Sequence, residues 1–206
     1  IEKANAEGMD ITLDRYPYIA YQTTLRNLFP TRFRDGGTDA FVKRLQTPAL
    51  LTRLKRAALA KIDMLGDWSA VMITRVSKEE HQVHIGKRVS EIVAESKEDP
   101  FEFVRQLLIN ENGSVGMVGF GMSEEEIKSV LTHPLVMIAS DGGAAATYGP
   151  LSEITPHPRY YGTFPRLLGK YCRDNHFFDL PTAVHKMTGM PAQRLGLKDR
   201  GKVDVG

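Results

Sequence analysis

The sequence has 206 residues, of which 42% are hydrophobic and 25% are charged, so one sizeable core can form. The formal net charge of +2 comes from Lys and Arg spread along the chain, without the basic cluster that nucleic-acid binding requires. No apolar run reaches the roughly 18 to 20 residues of a membrane span, and the single cysteine, Cys172, excludes an intramolecular disulfide. We therefore expect a cytoplasmic protein without nucleic-acid or membrane partners.

Both ends of the chain lie within predicted elements. Residues 1–6 are typical of the last turns of a helix that stops at Glu7-Gly8, and residues 9–13 of a strand leading to Tyr16-Pro17. The final residues, KVDVG, indicate the start of another strand. We therefore expect the sequence to be part of a larger protein.

The middle of the chain is predicted to be mostly helical. Residues 39–46 and 48–62 have the apolar spacing of two helices, and residues 68–74 form a short strand. The polar stretch 78–87 predicts a loop, in which His81 and His84 are solvated rather than metal-binding. The glycine-rich stretch 114–122 lacks the spacing of a phosphate-binding loop.

Helix starts are clearer in the second half of the chain. Asp99 before Pro100 and Glu102, and Ser123 before Glu126, match capping signatures. Further helices are predicted at residues 89–95, 164–175, 181–187 and 191–195. The apolar run 135–140 is typical of a parallel strand that is buried on both faces. The pattern predicts an α/β fold with too few strands for a closed eight-stranded barrel.

The strongest candidate for chemistry is Asp141, which follows the apolar run and precedes two glycines. In α/β folds the carboxyl ends of the strands carry the active site, so a carboxylate here is suitably placed. The alternative is an aspartate that only caps the following segment.

Two further stretches concentrate hydrogen-bonding side chains. His157 and Arg159 lie in a predicted loop, where the arginine fork suits a carboxylate; the alternative is a solvated surface loop. Tyr18 and Thr23 follow the first predicted strand, at the same expected end as Asp141; the alternative is an aromatic packing anchor.

Four segments together resemble the D-aminoacylase and N-acyl-D-amino-acid deacylase family of the amidohydrolase superfamily. They are GMDITLDRYPYIA, GFGMSEEEIKSVLTHPLVMIASDG, HPRYYGTFPRLLGKYCRDN and KMTGMPAQRLGLKDRGKVDVG. The resemblance implies the C-terminal part of a TIM-like (β/α) barrel of a metal-dependent hydrolase, with a helical insertion. It divides the chain into residues 1–25 (barrel strand and substrate loop), 26–77 (mostly helical insertion) and 78–206 (last strand and C-terminal helices).

The resemblance also implies an activity: hydrolysis of the N-acyl amide of N-acyl-D-amino acids by a zinc-activated water. It assigns Asp141 as a zinc ligand and general acid/base, and Arg159 and Tyr18 to the substrate carboxylate. Thr23 and His157 complete the implied substrate-binding set. The residues between Asp141 and His157 form a longer stretch than is typical of the family.

One departure from the family concerns the metal. The chain contains no H-x-H, and none of its six histidines matches a family ligand, so Asp141 is the only expected ligand. One carboxylate does not hold a catalytic zinc, which takes about three protein ligands. We therefore expect one or two zinc ions in the whole enzyme, and this chain alone to be inactive and unable to hold them.

Two alternatives stay open at this point. A cyclic amidohydrolase of the dihydroorotase or hydantoinase type would keep Asp141 but give Arg159 no carboxylate to bind. A non-catalytic fragment would explain the missing ligands. Exposed strand edges in a partial barrel also predict self-association of the chain.

Overall fold

The computed structural model describes residues 1–152 and 156–205. In this part of the chain the strands are β1 Leu13–Arg15, β2 Ala20–Thr24, β3 Val71–Arg75, β4 Gly116–Phe120 and β5 Val136–Ile138. The α-helices are α1 Glu2–Ala6, α2 Thr31–Arg34, α3 Gly37–Leu45, α4 Leu51–Leu65, α5 Val89–Ser96, α6 Pro100–Asn110, α7 Glu124–Thr132, α8 Arg159–Arg166, α9 Leu180–Met187 and α10 Gly189–Arg194. Among these described helices, none has both the length and the apolar character needed to cross a membrane.

The chain divides into two compact units. One consists of Ile1–Ile19 with Ser123–Gly206, and the other is Ala20–Met122. We call them the Asp141 unit and the Glu111 unit. The three segments expected from the resemblance have boundaries near residues 25 and 77, whereas the compact units divide next to residues 20 and 122. The helix-rich chain with its small sheets is α/β, as expected.

The Asp141 unit is built on a pair of parallel strands. β1 pairs with β5 in the register Leu13 to Val136 through Arg15 to Ile138. The helices of this unit cover the pair with a buried cluster that includes Ile138, Leu167 and Tyr171. Because parallel strands place their carboxyl ends at one edge, the residues after β1 and after β5 emerge on the same side.

The first strand begins later than predicted. The sequence pattern favoured residues 9–13, but β1 is Leu13–Arg15. Asn5 explains the shift, because its side chain both donates to the Ile11 carbonyl (2.9 Å) and accepts from the Ile11 N–H (2.8 Å). The Ile11 backbone is thereby occupied, and ladder pairing starts with the Leu13 N–H donating to the Leu135 carbonyl.

The Glu111 unit contains a three-stranded sheet, of which the sequence predicted only the strand at residues 68–74, observed as β3 Val71–Arg75. Its three strands lie in the order β2-β4-β3, and both pairings are antiparallel. The expected substrate loop therefore includes strand β2, and the glycine-rich stretch 114–122 contains the central strand β4. Glycine is needed within β4 because a Cβ at Gly119 would collide with the ring of Tyr21 on β2.

The predicted helix caps are confirmed. The Asp99 carboxylate accepts from the Glu102 N–H at 3.0 Å at the start of α6. Ser123 and Glu126 form a reciprocal capping box at the start of α7, with distances of 3.1 and 2.7 Å. Each cap satisfies backbone donors that the first helical turn leaves without partners.

The loop predicted at residues 78–87 is mostly exposed, as expected, but it is partly helical and His81 is not solvated. Residues Glu79–His84 form a 3₁₀ helix, and the His81 side chain is only 12% exposed. Its Nδ1–H donates to the buried carboxylate of Glu111 at 2.5 Å. A partner 30 positions away in sequence therefore orders this polar stretch, which has no local apolar pattern of its own.

The helix predicted at residues 164–175 begins earlier and changes type. It starts as α8 at Arg159 and continues as a π-helix, Leu167–Asp174. Pro165 lies inside α8 and has no N–H to donate. π-helical turns are rare and occur often at functional sites.

Candidate active site

Asp141 lies three residues beyond β5, at the edge where the parallel strands end. Its backbone has a φ of 47°, in the left-handed region that aspartate tolerates better than most residues. The side chain is 69% exposed, and its Oδ2 lies 3.2 Å from Nη2 of Arg159. Asp141 therefore presents an accessible carboxylate beside a fixed positive charge.

Arg159 is buried and lies in a helix, whereas the sequence predicted a loop; the alternative of a solvated surface loop is wrong. It is the first residue of α8, and its side chain is 7% exposed. Its Nε donates to the Asp141 carbonyl at 2.8 Å, and its guanidinium lies over the rings of Tyr16 (5.3 Å) and Tyr160 (5.6 Å). These contacts orient the fork so that it holds both the backbone and the carboxylate of Asp141.

One hydrogen-bond donor of the Arg159 guanidinium has no partner in the described part of the chain. This donor is Nη1, which is buried. A buried unpaired donor costs about 1 to 3 kcal/mol, so such an atom is expected to gain a partner from a ligand or from water. Arg34 and Thr74 in the other unit also have an unpaired buried atom, so Arg159 is distinguished only by its combination with Asp141.

His157 supports Arg159 rather than facing solvent. The residue is 6% exposed, and its Nδ1 accepts the Arg159 N–H at 3.0 Å, which leaves the proton of the neutral ring at Nε2. The ring meets Tyr18 edge-on, with centroids 5.1 Å apart. His157 thereby connects the start of α8 with the residues that follow β1.

Tyr18 follows β1 and packs into this group. Its hydroxyl donates to the Pro158 carbonyl at 3.3 Å, and the guanidinium of Arg166 lies 4.8 Å from its ring centroid. Burial raises the pKa of the Tyr18 phenol, and the Arg166 charge partly opposes that rise. The approach to α8 is close, because a Cβ at Gly162 would lie 2.5 Å from the Tyr18 hydroxyl.

Thr23 lies in β2, which belongs to the Glu111 unit, whereas the other four predicted site residues belong to the Asp141 unit. Its hydroxyl accepts a hydrogen bond from the Asn27 side chain. The structure thus brings Asp141, Arg159, His157 and Tyr18 together. The stretch between Asp141 and His157 is described only up to Ser152; residues 153–155 lie outside the described part.

Sequence reasoning missed one member of the group, Arg166, and placed Tyr16 at the same strand end without assigning it a role. Tyr16 lies under Arg159, and the Nε of Arg166 donates to the Pro17 carbonyl at 2.7 Å. Both residues stand inside the segments that carried the resemblance. The signal for Tyr16 was its position directly after β1, whereas no local pattern indicated a role for Arg166.

A cleft elsewhere in the same unit does not coincide with this group. It has a volume of about 340 Å³ and lies beside β1, β5 and α10, with Asp14, Met137 and Arg194 in its wall. None of the predicted site residues lines it. The candidate site is therefore identified by its chemistry and its place at the strand ends, not by cavity size.

The described residues do not fit a zinc ion by themselves. No group of three His, Cys, Asp or Glu side chains suited to a metal occurs in residues 1–152 and 156–205. Asp141 is in contact with an arginine, and the Nδ1 of the nearby His157 is occupied by a backbone N–H. A catalytic zinc takes about three protein ligands, so this group supplies at most one.

Comparisons with known proteins point in one direction. No family model matches the chain. D-aminoacylase of Alcaligenes xylosoxydans xylosoxydans is 40% identical over 121 residues, covering 59% of this chain and 22% of that protein. N-acyl-D-glutamate deacylase of the same organism is 30% identical over 206 residues, covering 100% of this chain and 32% of that protein.

A solved structure extends the likeness to three dimensions. N-acyl-D-glutamate deacylase from Bordetella bronchiseptica, complexed with zinc and a phosphonate inhibitor that mimics the tetrahedral intermediate, is 27% identical with a TM-score of 0.65. The match covers 100% of this chain and 33% of that one. This chain spans about a third of the length of the relatives that match it throughout. The resemblance to the D-aminoacylase and N-acyl-D-amino-acid deacylase family is therefore confirmed over the whole of this chain.

Proposed function

We propose that the whole protein carrying this chain hydrolyses the N-acyl amide bond of N-acyl-D-amino acids, and that Asp141 and Arg159 are its catalytic and substrate-binding residues. The single observation that carries the proposal is their contact: an exposed carboxylate beside a buried guanidinium, one donor of which has no partner among residues 1–152 and 156–205. The similarity to D-aminoacylase and to N-acyl-D-glutamate deacylase supports the reaction class. In the whole protein, Asp141 and Arg159 would lie at the carboxyl-terminal mouth of a TIM-like barrel.

Asp141 would move the proton. Its carboxylate accepts a proton as water adds to the acyl carbon, and returns that proton to the amide nitrogen as the C–N bond breaks. The products are a carboxylic acid and a free D-amino acid. An exposed carboxylate suits this role, because both the water and the leaving amine must reach it.

Arg159 would bind the α-carboxylate of the substrate. Its Nη1 has no partner in the part of the chain that the structure describes, and a carboxylate that met it would also meet Nη2 in a bidentate pair. The buried stem leaves the fork little freedom, because the Asp141 carbonyl and two tyrosine rings fix it. Tyr18, His157 and Thr23 complete the proposed substrate-binding set.

Zinc is the proposed cofactor of the whole protein, as it is in the deacylase structure from Bordetella bronchiseptica. The described residues supply one ligand at most, so the remaining ligands would lie outside them. The 206 residues alone would then be inactive. A chelator should abolish activity of the whole protein, and added zinc should restore it.

The test of Asp141 uses the whole protein and N-acetyl-D-amino acids, with the L-enantiomers and cyclic amides as comparison substrates. We expect Asp141→Asn to lower kcat by about 10² to 10⁴-fold, the range for loss of a general acid/base. The matched control is Asp174→Asn, another exposed carboxylate paired with an arginine, which should stay within about twofold. Full activity in Asp141→Asn, or turnover of cyclic amides alone, would reject the proposal.

The test of Arg159 separates binding from chemistry. Arg159→Lys keeps the charge but loses the fork, so we expect KM for N-acetyl-D-amino acids to rise by about 10 to 100-fold. Arg173→Lys, which changes an exposed arginine, is the control. An unchanged KM would show that the substrate carboxylate binds elsewhere.

A further inference from the structure

We propose that Arg166 is a positioning residue that holds Tyr18 in its substrate-binding orientation. The inference rests on the proposed function, in which Tyr18 contacts the substrate. Arg166 itself is not expected to touch the substrate, because its guanidinium is committed to Tyr18, Pro17 and Glu124. The role is therefore exerted through Tyr18.

Arg166 contacts two successive residues after β1. Its guanidinium lies 4.8 Å from the Tyr18 ring centroid, and its Nε donates to the Pro17 carbonyl at 2.7 Å. The first contact holds the ring face, and the second holds the backbone from which the ring projects. The ring also meets His157 edge-on, and its hydroxyl donates a 3.3 Å hydrogen bond to the Pro158 carbonyl.

Arg166 is itself anchored by Glu124, the first residue of α7. Its Nη2 lies 3.5 Å from Glu124 Oε1, which also receives Lys170 Nζ at 2.5 Å. The Tyr171 hydroxyl donates to Glu124 Oε2 at 2.8 Å, and lies 3.5 Å from Arg166 Nη2. A carboxylate with three donors around it is a firm support for a guanidinium.

The protonation states of this anchor do not change near neutral pH. Burial tends to raise the pKa of Glu124, but hydrogen bonds from Lys170 and Tyr171 outweigh it, and the pKa is lowered overall. Burial and the hydrogen bond to Glu124 raise the pKa of Tyr171 to about 12. Glu124 therefore remains a carboxylate and Tyr171 a phenol under assay conditions, so the anchor for Arg166 is constant.

The backbone explains why these side chains meet. Arg166 ends α8, and the π-helix Leu167–Asp174 follows directly. A π-helix bonds residue i to residue i+5, so residues five apart lie on one face. Arg166 and Tyr171 have this spacing, and the guanidinium lies 5.6 Å from the Tyr171 ring centroid. The irregular turn thus places Arg166 between its anchor and Tyr18.

The kinetic test compares Arg166→Gln and Arg166→Lys with the control Arg173→Gln, a 76% exposed arginine on the same π-helix. In the whole protein we expect Arg166→Gln to raise KM for N-acetyl-D-amino acids about tenfold with a smaller change in kcat. Arg166→Lys should recover part of the loss, and Arg173→Gln should match the wild type. A KM within twofold of wild type in Arg166→Gln would overturn the proposal.

A double-mutant cycle with Tyr18→Leu distinguishes positioning from general support of the fold. If Arg166 acts through Tyr18, adding Arg166→Gln to Tyr18→Leu should change KM by less than about twofold. Independent effects that multiply would overturn the proposal. Thermal unfolding of each variant identifies any that fail to fold. If Arg166→Gln fails to fold, the KM of Arg166→Lys relative to the wild type is the deciding measurement.

A second readout does not depend on activity. With ¹³C-labelled tyrosine, the ring signal of Tyr18, assigned by its loss in Tyr18→Phe, should shift in Arg166→Gln and not in Arg173→Gln. If the protein lacked deacylase activity, the proposed function would fail while this shift still reported the contact. An unshifted Tyr18 signal in Arg166→Gln would overturn the positioning role itself.

Discussion

Glu111 and Arg159 are both buried charges, one in each compact unit, and their surroundings differ. Glu111 Oε2 accepts the Ser77 N–H at 2.6 Å, while its Oε1 accepts the Lys78 N–H at 3.1 Å and His81 Nδ1–H at 2.5 Å. Both of its oxygens are therefore satisfied. Arg159 instead has one buried nitrogen that meets no partner among the described residues, and the carboxylate that it contacts is 69% exposed.

The difference separates a buried charge whose oxygens all have partners from one with a nitrogen that has none among the described residues. A buried charge with every hydrogen bond made fixes local structure, and here Glu111 orders the segment 77–81. A buried charge with a donor to spare costs stability, and proteins retain such costs mainly at functional sites. We therefore expect substitutions at Glu111 to affect folding, and substitutions at Asp141 to affect activity with little effect on folding.

The largest effect on stability is expected for Glu111→Ala. It leaves two backbone N–H groups and the His81 ring without their acceptor, which should lower the free energy of unfolding by about 3 kcal/mol. Urea unfolding followed by circular dichroism measures the loss. Glu98→Ala, an exposed glutamate without a side-chain partner in the described part, should cost less than about 0.5 kcal/mol. Equal losses of unfolding free energy in the two variants would show that Glu111 contributes no more to folding than an exposed glutamate.

The pH dependence of Glu111 sharpens the same comparison. Burial tends to raise its pKa, but the hydrogen bonds from His81, Ser77 and Lys78 lower it overall. A carboxylate whose pKa is lower in the folded state stabilises above its unfolded pKa, near 4.3, and less as pH falls below it. The stability difference between wild type and Glu111→Gln, about 2 kcal/mol at pH 7, should therefore shrink as pH falls below about 4. A stability difference that grows toward low pH would contradict the lowered pKa of Glu111.

A smaller effect is expected at the capping box of the Asp141 unit. Ser123→Ala removes the acceptor for the Glu126 N–H and should cost about 1 kcal/mol. Ser129→Ala, on the exposed face of the same helix, should be neutral or slightly stabilising because alanine favours helices. Urea unfolding of both variants measures the difference, and a cost at Ser129 as large as that at Ser123 would contradict the cap.

The smallest effect on stability is expected at Asp141. Asp141→Gly relieves a φ of 47° but removes an ion pair whose carboxylate is exposed, so the two contributions should cancel to within about 1 kcal/mol. The same variant should lose deacylase activity in the whole protein. A large loss of stability would show that Asp141 is mainly structural, which is the alternative that the sequence left open.

Much of the local structure could be predicted from the sequence. The caps at Asp99 and Ser123 are confirmed, as is the helix after Asp99 and the buried strand before Asp141. These features depend on residues within one or two turns of each other, so the pattern and the structure contain the same information.

The strands β2 and β4 could not be predicted in the same way. β4 is glycine-rich and has no apolar alternation, and it forms because β2 and β3 lie on either side of it. Strand pairing between distant segments overrides weak local propensity, and a single sequence does not reveal the partner. The anchoring of His81 by Glu111 was missed for the same reason.

The sequence by itself determined the helix boundaries set by caps, the apolar strand that ends before Asp141, and the family resemblance that singled out Arg159 and Tyr18. Only the tertiary structure decided that Arg159 is buried against Asp141, and that Arg166, 149 positions from Pro17, contacts the residues after β1. The physical reason is that capping and periodicity act over a few residues, whereas ion pairs and ring contacts depend on which distant segments pack together.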